Sequence, residues 1–460
     1  MNLKIYPSSL EYGSGDENLT LNLIMEHRKN EPVVGGAMLL PFILITSLFA
    51  LWGFANDITN PMVAAFQTVM EISNSRAAMV QFAFYGGYAT MAIPAALFIQ
   101  KYSYKKGILV GLTLYAVGAL MFWPAAKYQE FNFFLVSLYV LTFGLAFLET
   151  TSNPFILSMG SENTATRRLN LAQSFNPMGS LAGMYVASQF VLARLQCDKQ
   201  VDALGNKISF SSLPVGIKEH IRFEDLMVIR NPYVLLGLVV IVMFIVIACV
   251  KMPSTMTKEH VGFRESVLHL YKHKNYREGV IAQICYVGAQ IMCWTFIIQY
   301  AGRLGIPKAQ AQMYNIVAMC MFLGGRFIST ALMKYVNTRL LLLVFACCAF
   351  CTTLGAIFLT GMAGLYSLMV TSLFMSLMFP TIYGIALEKI GKYSALGAAG
   401  LVMAIVGGAL MPPIQGAIID LGHIGNLPAE NASFVMPLIC FVVVGMYAYR
   451  CYCRQKKGTA

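Results

Sequence analysis

The sequence has little charge of either sign. Of its 460 residues only 12% are charged, whereas 57% are hydrophobic, and the mean hydropathy is +0.64. A soluble chain of this length usually has about a quarter of its residues charged, because its surface must be solvated. No water-soluble fold can bury this much apolar surface. The composition therefore excludes soluble catalytic domains and nucleic-acid-binding modules, and it predicts a polytopic membrane protein.

Motifs of several other protein classes are missing. The chain has no Walker-type phosphate loop, which argues against direct use of ATP hydrolysis. None of the six histidines falls within a long apolar run, and no cysteine spacing with histidine partners resembles a zinc motif. Most of the 11 cysteines lie inside apolar runs, where they are expected to be small core residues. We therefore expect no metal site, no structural disulfide and no bound organic cofactor.

What the sequence does contain is a series of apolar runs of about 20 residues, the length that a helix needs to cross the hydrocarbon core. There are twelve of them, near residues 38–63, 78–100, 107–126, 131–157, 169–194, 232–250, 279–302, 310–333, 340–360, 362–387, 395–419 and 431–449. The sequence therefore predicts an all-α polytopic membrane protein with 12 transmembrane helices.

The 33 lysines and arginines are distributed unevenly between the two sides of these runs. If the N-terminus is cytoplasmic, 22 lie inside and 10 outside, six of the latter in one long loop, and Arg326 falls within a run. Over short loops the ratio is 22 to 4, which follows the positive-inside rule. We therefore predict an inner (plasma) membrane protein with both termini cytoplasmic. Arg326 is expected to snorkel or to bind a helix carbonyl.

Two long loops organise the chain, an external one at 195–231 and a basic internal one at 252–276. The internal loop separates six runs from six, an arrangement typical of two bundles that rock around a central site. The expected parts are a disordered cytoplasmic tail at 1–37, six-helix bundles at 38–251 and 277–450 joined by the loop, and a cytoplasmic tail at 451–460.

Only two of the 21 acidic residues fall deep inside the predicted spans, Asp57 in the first and Glu149 in the fourth. A charged side chain at membrane depth costs about 2.5 kcal/mol or more, so such residues usually face a cavity or a partner and often serve proton relays. We predict that Glu149 and Asp57 are proton-coupling residues. The alternative is that each is a protonated carboxyl that joins two helices by a hydrogen bond.

Uncharged hydrogen-bonding side chains recur near these acids at helical spacing. Asn170, Gln173 and Asn176 lie on one stripe of the fifth span, and Tyr85 and Tyr88 lie on the second. One such amide alone is usually a packing contact between helices, but four converging spans favour a ligand site. Amides and flat aromatic faces suit a polyhydroxylated ligand. The candidate substrate-binding residues are Asn56, Asn60, Gln81, Tyr85, Gln173, Asn176, Gln290 and Trp294.

Four strings in the sequence resemble a known family. They are LETTSNPF at 148–155, RLNLAQSFN at 168–176, YVGAQ at 286–290 followed by Cys293 and Trp294, and FWPAA at 122–126. Together they resemble the L-fucose:proton symporters, in the fucose-galactose-glucose group of the major facilitator superfamily, from about residue 38 to 450. The resemblance implies the major facilitator fold and proton-driven sugar uptake, with Glu149 in proton coupling and Gln173 and Asn176 lining the sugar site.

The sequence departs from the family pattern in two places. Where the first span of the family reads ANNLND, residues 55–60 read ANDITN, so the carboxylate stands one helical turn earlier, at Asp57, on the same wall. Where the family reads QYPT, residues 378–381 read MFPT, which removes two polar groups from the tenth span. These departures leave the sugar open between L-fucose, another deoxysugar, and glucose or galactose.

A remote alternative belongs to another class, an intramembrane enzyme that acts on a lipid-linked sugar. It would need acidic pairs at the membrane surface or a histidine or serine catalytic set at depth, and the spans contain no histidine. The expected partners are a small sugar and the lipid bilayer, with a proton as the coupling ion, and the chain is expected to act as a monomer.

Overall fold

The structure is a computed structural model that describes residues 32–72, 76, 79–197, 199–200, 210–252, 262–306, 308–359, 361–419, 421–424 and 427–458. Within α-helices, the side chains of Asn60 and Gln81 lie outside the described part of the structure. Most of the predicted tail at 1–37 also lies outside it. The last tail residues belong to a 3-10 turn, Gly36–Met38, that leads into the first helix.

The first half of the chain is helical. Its helices are α1 (Leu39–Val69), α2 (Met79–Lys101), α3 (Tyr104–Leu120), α4 (Phe122–Tyr128), α5 (Phe131–Leu157), α6 (Ala165–Gln173), α7 (Asn176–Val186) and α8 (Val215–Cys249). Local hydrogen bonds explain where several of these helices begin or end. The Ser103 hydroxyl caps α3 by accepting from the Lys106 N–H. The buried Arg168 guanidinium donates to the carbonyls of Ile156 (2.7 Å) and Leu157 (2.6 Å), which lie at the end of α5.

The second half continues the pattern with one small hairpin. Its elements are α9 (Phe263–Lys272), α10 (Lys274–Arg303), α11 (Lys308–Leu332), α12 (Thr338–Phe358), α13 (Met362–Met375), α14 (Met378–Ala386), α15 (Ser394–Met403), α16 (Gly407–Ile419), β1 (His423–Ile424), β2 (Leu427–Pro428), α17 (Ala429–Ala432) and α18 (Val435–Gly458). The two strands pair antiparallel. The Asn337 side chain caps α12 by accepting from the Arg339 N–H at 2.9 Å.

The described part of the chain contains 11 helical segments that are long and apolar enough to cross a membrane. They match eleven of the twelve predicted spans. The fifth predicted span, 169–194, is not among them because it is broken. Here α6 ends at Gln173, α7 begins at Asn176, and a π-helical turn follows at Ala187–Val191. Pro177 explains the first break, since it lacks the N–H that would bond the carbonyl of Gln173.

Three predicted loops contain more helix than expected. The external loop at 195–231 holds the first part of α8, and Lys218 and Arg222 both bind Glu71 at 2.8 Å. The central loop at 252–276 holds α9. The predicted tail at 451–460 continues α18 to Gly458, and within it Arg454 binds Glu278 at 2.7 Å. The search for apolar runs missed these segments because charged residues interrupt them, and because α9 is also short.

Buried apolar side chains form two clusters, one mainly from α1–α8 and one mainly from α10–α18. The first cluster also contains residues of α14 and α15, because α15 packs against α2 and α5, and α14 packs against α6. These contacts lie at the end of the molecule that carries Lys101 and Tyr104, the predicted cytoplasmic end. The two halves are therefore closed against each other at that end. The exact bundle boundaries, 38–251 and 277–450, stay a prediction.

Candidate functional site

Glu149 lies where the two halves meet. It is on α5 and only 7% exposed, and its carboxyl is within electrostatic range of the phenols of Tyr88 on α2 and Tyr383 on α14. Within the described residues the carboxyl has neither a hydrogen bond nor an ion pair. A carboxyl in such surroundings is stable without charge, whereas the ionised form needs water or a cation. The site is thus suited to taking up and releasing a proton.

Two tyrosines of α2 lie within electrostatic range of Asp57 and Glu149. Half-buried on α1, Asp57 is within electrostatic range of Tyr85, Tyr85 is within range of Tyr88, and Tyr88 is within range of Glu149. Tyr85 and Tyr88 are three residues apart and so share one face of α2. The structure therefore brings both predicted acids into one row of polar groups, Asp57, Tyr85, Tyr88 and Glu149, in which neighbours are within electrostatic range. The sequence placed all four residues in spans but did not connect them.

Asn56 and Asn176 occupy the α1 and α7 walls of the same region. The Asn56 Oδ1 atom is buried and has no hydrogen-bond partner in the described part of the chain. The Asn176 Nδ2 atom donates to the carbonyl of Phe49 on α1 at 3.2 Å. The two helices lie this close because a Cβ at Gly179 would overlap the Ala50 carbonyl. Asn56 thus has an unused acceptor, whereas Asn176 is partly engaged.

In this state the side chain of Gln173 is hydrogen-bonded to other residues of the protein. It is 4% exposed, its Nε2 donates to the Asn153 Oδ1 at 3.0 Å, and its Oε1 accepts from Arg326 at 3.4 Å. Its predicted contact with sugar stays a prediction, and it would require these bonds to be exchanged. A second bond between the halves lies nearby, since Asn170 donates to the Thr381 hydroxyl at 3.2 Å.

Arg326, on α11, holds the two broken helices together. Its Nε donates to the carbonyl of Ser376 at 2.8 Å, and its Nη1 donates to the carbonyl of Gln173 at 2.8 Å. Pro380 and Pro177 stand four residues after these carbonyls and have no N–H to offer them. The guanidinium therefore satisfies one orphan carbonyl in each half. This confirms the interpretation that Arg326 binds a helix carbonyl.

The second half supplies Gln290 and Trp294 from α10. Trp294 is half-buried, its Nε1 donates to the Ser372 hydroxyl at 3.2 Å, and its ring meets Phe322 edge-on with centroids 5.0 Å apart. Gln290 is half-buried and makes no hydrogen bond with the residues that the structure describes. Gln283, two turns earlier, is buried with both side-chain polar atoms unpartnered in the described part. Gln290 is thus the predicted residue on this wall with free bonding capacity.

Sequence reasoning missed two participants on the tenth span. Tyr383 faces Glu149 from the opposite half, and Phe379 is half-buried with its ring 6.3 Å from that of Tyr383. The MFPT string at 378–381 and the break at Pro380 both draw attention to this segment, but neither places Tyr383 beside Glu149. Met378, which stands where the family pattern has a polar residue, is fully buried in the apolar cluster of the second half.

Comparison with known proteins agrees with this architecture. The family model of the Major Facilitator Superfamily matches residues 42–412. The L-fucose-proton symporter of Haemophilus influenzae is 62% identical over 92% of this chain and 99% of its own. A glucose/galactose transporter of Brucella abortus is 29% identical over 88% of this chain and 92% of its own. The crystal structure of the transporter FucP in the outward conformation has a TM-score of 0.81 at 32% identity, covering 90% of this chain and 99% of that one.

The similarity covers the helices that carry the acids, the two breaks and the α10 wall. The chain is an all-α, multi-pass membrane protein, and it belongs to the L-fucose:proton symporter group of the Major Facilitator Superfamily.

Proposed function

We propose that this chain imports L-fucose or a closely related sugar across the plasma membrane together with protons, by alternating access. Its relatives are transporters, and it is a secondary transporter rather than an enzyme. The observation that carries the proposal is the position of Glu149, a buried carboxyl without a counter-ion among the described residues, at the junction of α2, α5 and α14. We also propose that both termini are cytoplasmic, that the chain acts as a monomer, and that it uses a proton as its coupling ion and no bound cofactor.

The geometry supports an order of events. With the halves closed at the cytoplasmic end, the site faces outward and Glu149 carries a proton. Sugar then binds between Asn56 on the first half and Gln290 on the second, which favours occlusion. Inward opening separates α14 from α6 and α15 from α2, and it breaks the bond from Arg326 to Gln173. Water that enters from the cytoplasm ionises Glu149, and the proton and the sugar leave together.

The chemistry of the α14 wall favours a 6-deoxysugar. A sugar C6 group placed against Phe379 would meet a half-buried apolar ring that offers no hydrogen bond. L-Fucose carries a methyl group at C6, whereas glucose and galactose carry a hydroxyl there that would lose its water partners. A polar group left unpaired in this way is disfavoured by about 1–3 kcal/mol. The glucose/galactose alternative is supported by the Brucella abortus relative.

The substrate assignment predicts a specific uptake pattern in proteoliposomes. L-Fucose is expected to accumulate when the lumen is alkaline and to equilibrate only when the proton gradient is absent. Glucose and galactose are expected to enter at least about fivefold more slowly, following the cost of about 1–3 kcal/mol for an unpaired hydroxyl. Labelled sugars, with and without an uncoupler, provide the measurement. Faster uptake of glucose would identify the alternative substrate, and accumulation unaffected by the uncoupler would contradict proton coupling.

Substitution Asp57→Asn is expected to weaken coupling without abolishing it. The side chain is only half-buried and stands beside Tyr85 at one end of the row, so a neutral amide preserves the row but removes its second titrating group. We expect the initial uptake rate to fall severalfold and its pH dependence to flatten. Uptake across a pH series, compared with Tyr85→Phe, gives the measurement. A wild-type rate at every pH would show that Asp57 has a purely structural role.

A further inference from the structure

An open groove of about 340 Å³ lies at the closed end of the molecule, on its outer surface. Its walls are α9, α10, α15 and one residue of α2, Ile93. All but one of the lining side chains are uncharged and most are apolar, and the exception is Arg277. This groove lies outside the candidate transport site, because Glu149 and Arg326 are not among its residues.

The apolar wall formed by α9 is exposed beside the membrane-spanning helices. Ser266 and Leu270 are buried against the protein, whereas Phe263, Val267 and Tyr271 are 48%, 45% and 65% exposed. These three residues recur every four positions and so share one face. An amphipathic helix with an exposed apolar face and basic residues beside it is typical of a helix that lies in the membrane interface.

The helices that wall the groove carry several positive charges. Arg264, Lys272, Lys274 and Arg277 lie on or beside its walls and form no ion pair with the residues that the structure describes. The neighbouring described acids are engaged elsewhere: Glu265 accepts from the Tyr393 hydroxyl at 2.9 Å, and Glu278 accepts from Arg454 at 2.7 and 2.9 Å. The Arg277 guanidinium lies 5.4 Å from the Tyr271 ring centroid, at the groove itself.

We propose that this groove binds an acidic phospholipid, with one acyl chain along the apolar wall and the phosphate held by Arg277 and its neighbours. The lining and the charge both point to this occupant, because the groove is apolar along its length, open at the surface, and walled by helices that carry basic residues. Basic groups at this depth meet the anionic head groups of the cytoplasmic leaflet.

Lipid binding in this groove is coupled to the conformation of the two halves. Ile93 belongs to the first half, whereas α9, α10 and α15 belong to the second, so the groove is complete only while the halves are closed at this end. A ligand that binds one state better shifts the population toward that state. The bound phospholipid therefore favours the outward-facing state, independently of which sugar is carried.

Lipid titration of the detergent-purified full chain, monitored by native mass spectrometry, tests the binding. Phosphatidylglycerol is expected to bind more tightly than phosphatidylcholine. The double variant Lys274→Gln, Arg277→Gln should lose about 25-fold in affinity for phosphatidylglycerol, about fivefold for each cation removed. Val267→Trp, which fills the groove, should weaken binding of both lipids. The matched control Lys457→Gln, an exposed cation at the end of α18, should bind as the wild type does.

Several results would overturn the proposal. One is equal affinity for the two phospholipids, and another is wild-type phosphatidylglycerol binding in both groove variants. Soluble glycerol phosphate binding as tightly as phosphatidylglycerol would show an anion site without an acyl chain. Hydrogen exchange of residues 394–403 in nanodiscs tests the coupling, with slower exchange expected in phosphatidylglycerol than in phosphatidylcholine. Equal exchange would refute the effect on conformation. All of the substituted side chains are exposed, so elution as a folded monodisperse species is expected for every variant.

Discussion

Replacing Glu149 with glutamine is expected to abolish accumulation of sugar against its gradient while leaving exchange of sugar across the membrane intact. Glutamine has nearly the same shape and remains neutral, so it reproduces the protonated carboxyl and cannot release a proton. The halves should therefore still alternate with sugar bound. A single proton that moves through 100 mV supplies about 2.3 kcal/mol, which supports a concentration ratio of about 50-fold. In the variant this ratio should fall to one.

Two transport assays on the same proteoliposomes separate these effects. Accumulation is measured under an inside-alkaline, inside-negative gradient, and exchange is measured by counterflow with no gradient. Glu162→Gln is the matched control, since that carboxylate is exposed on a loop of the same half. Accumulation at the wild-type ratio would refute the coupling role of Glu149. Loss of counterflow together with accumulation would assign the residue to sugar binding instead.

Replacing Arg326 with methionine is expected to destabilise the protein and to slow transport by at least about 10-fold. Methionine keeps much of the apolar stem but leaves the carbonyls of Gln173 and Ser376 without a donor. Each unsatisfied buried acceptor costs about 1–3 kcal/mol, so the two together cost roughly 2–6 kcal/mol. Lysine can donate to one of them from its compact ammonium, and the order of stability should be arginine, lysine, methionine.

Thermal unfolding of the purified variants and the counterflow rate measure this prediction. Arg450→Met provides the control, because Arg450 is an exposed arginine whose contact with Glu278 is 3.4 Å long. If Arg326→Met unfolds at the wild-type temperature and exchanges sugar at the wild-type rate, the guanidinium does not hold the two helix breaks together. If Arg450→Met loses as much thermal stability and counterflow rate as Arg326→Met does, the removal of a positive charge alone explains the effect.

Much of the architecture could be predicted because a helix that crosses the hydrocarbon core needs an apolar run of about 20 residues, which is visible in the sequence. Eleven spans follow from hydropathy, and Glu149 is conspicuous because acids are so rare at depth. The two carbonyl partners of Arg326 could also have been predicted from the sequence. Pro177 and Pro380 each leave a carbonyl four residues earlier without its donor, and a buried arginine is the natural partner for such carbonyls.

Other features depend on how the halves pack and are not encoded locally. Tyr383 reaches Glu149 only because α14 lies against the first half in this state, and the engagement of Gln173 by Arg326 has the same origin. The helix α9 was missed for a different reason. It has 10 residues and is amphipathic, so a search for runs of about 20 apolar residues passes over it.

The two proline breaks also determine what opening requires. A backbone carbonyl in the hydrocarbon region has to find a donor within the protein or in water, and here one guanidinium serves the carbonyls of Gln173 and Ser376 together. When the halves part at this end, the guanidinium stays with the second half and the Gln173 carbonyl loses its donor. Water that enters the widening gap can replace the guanidinium as the hydrogen-bond donor to this carbonyl. Wetting of the cytoplasmic passage therefore favours the transition, because a dry rearrangement would leave the Gln173 carbonyl unpaired at a cost of about 1–3 kcal/mol.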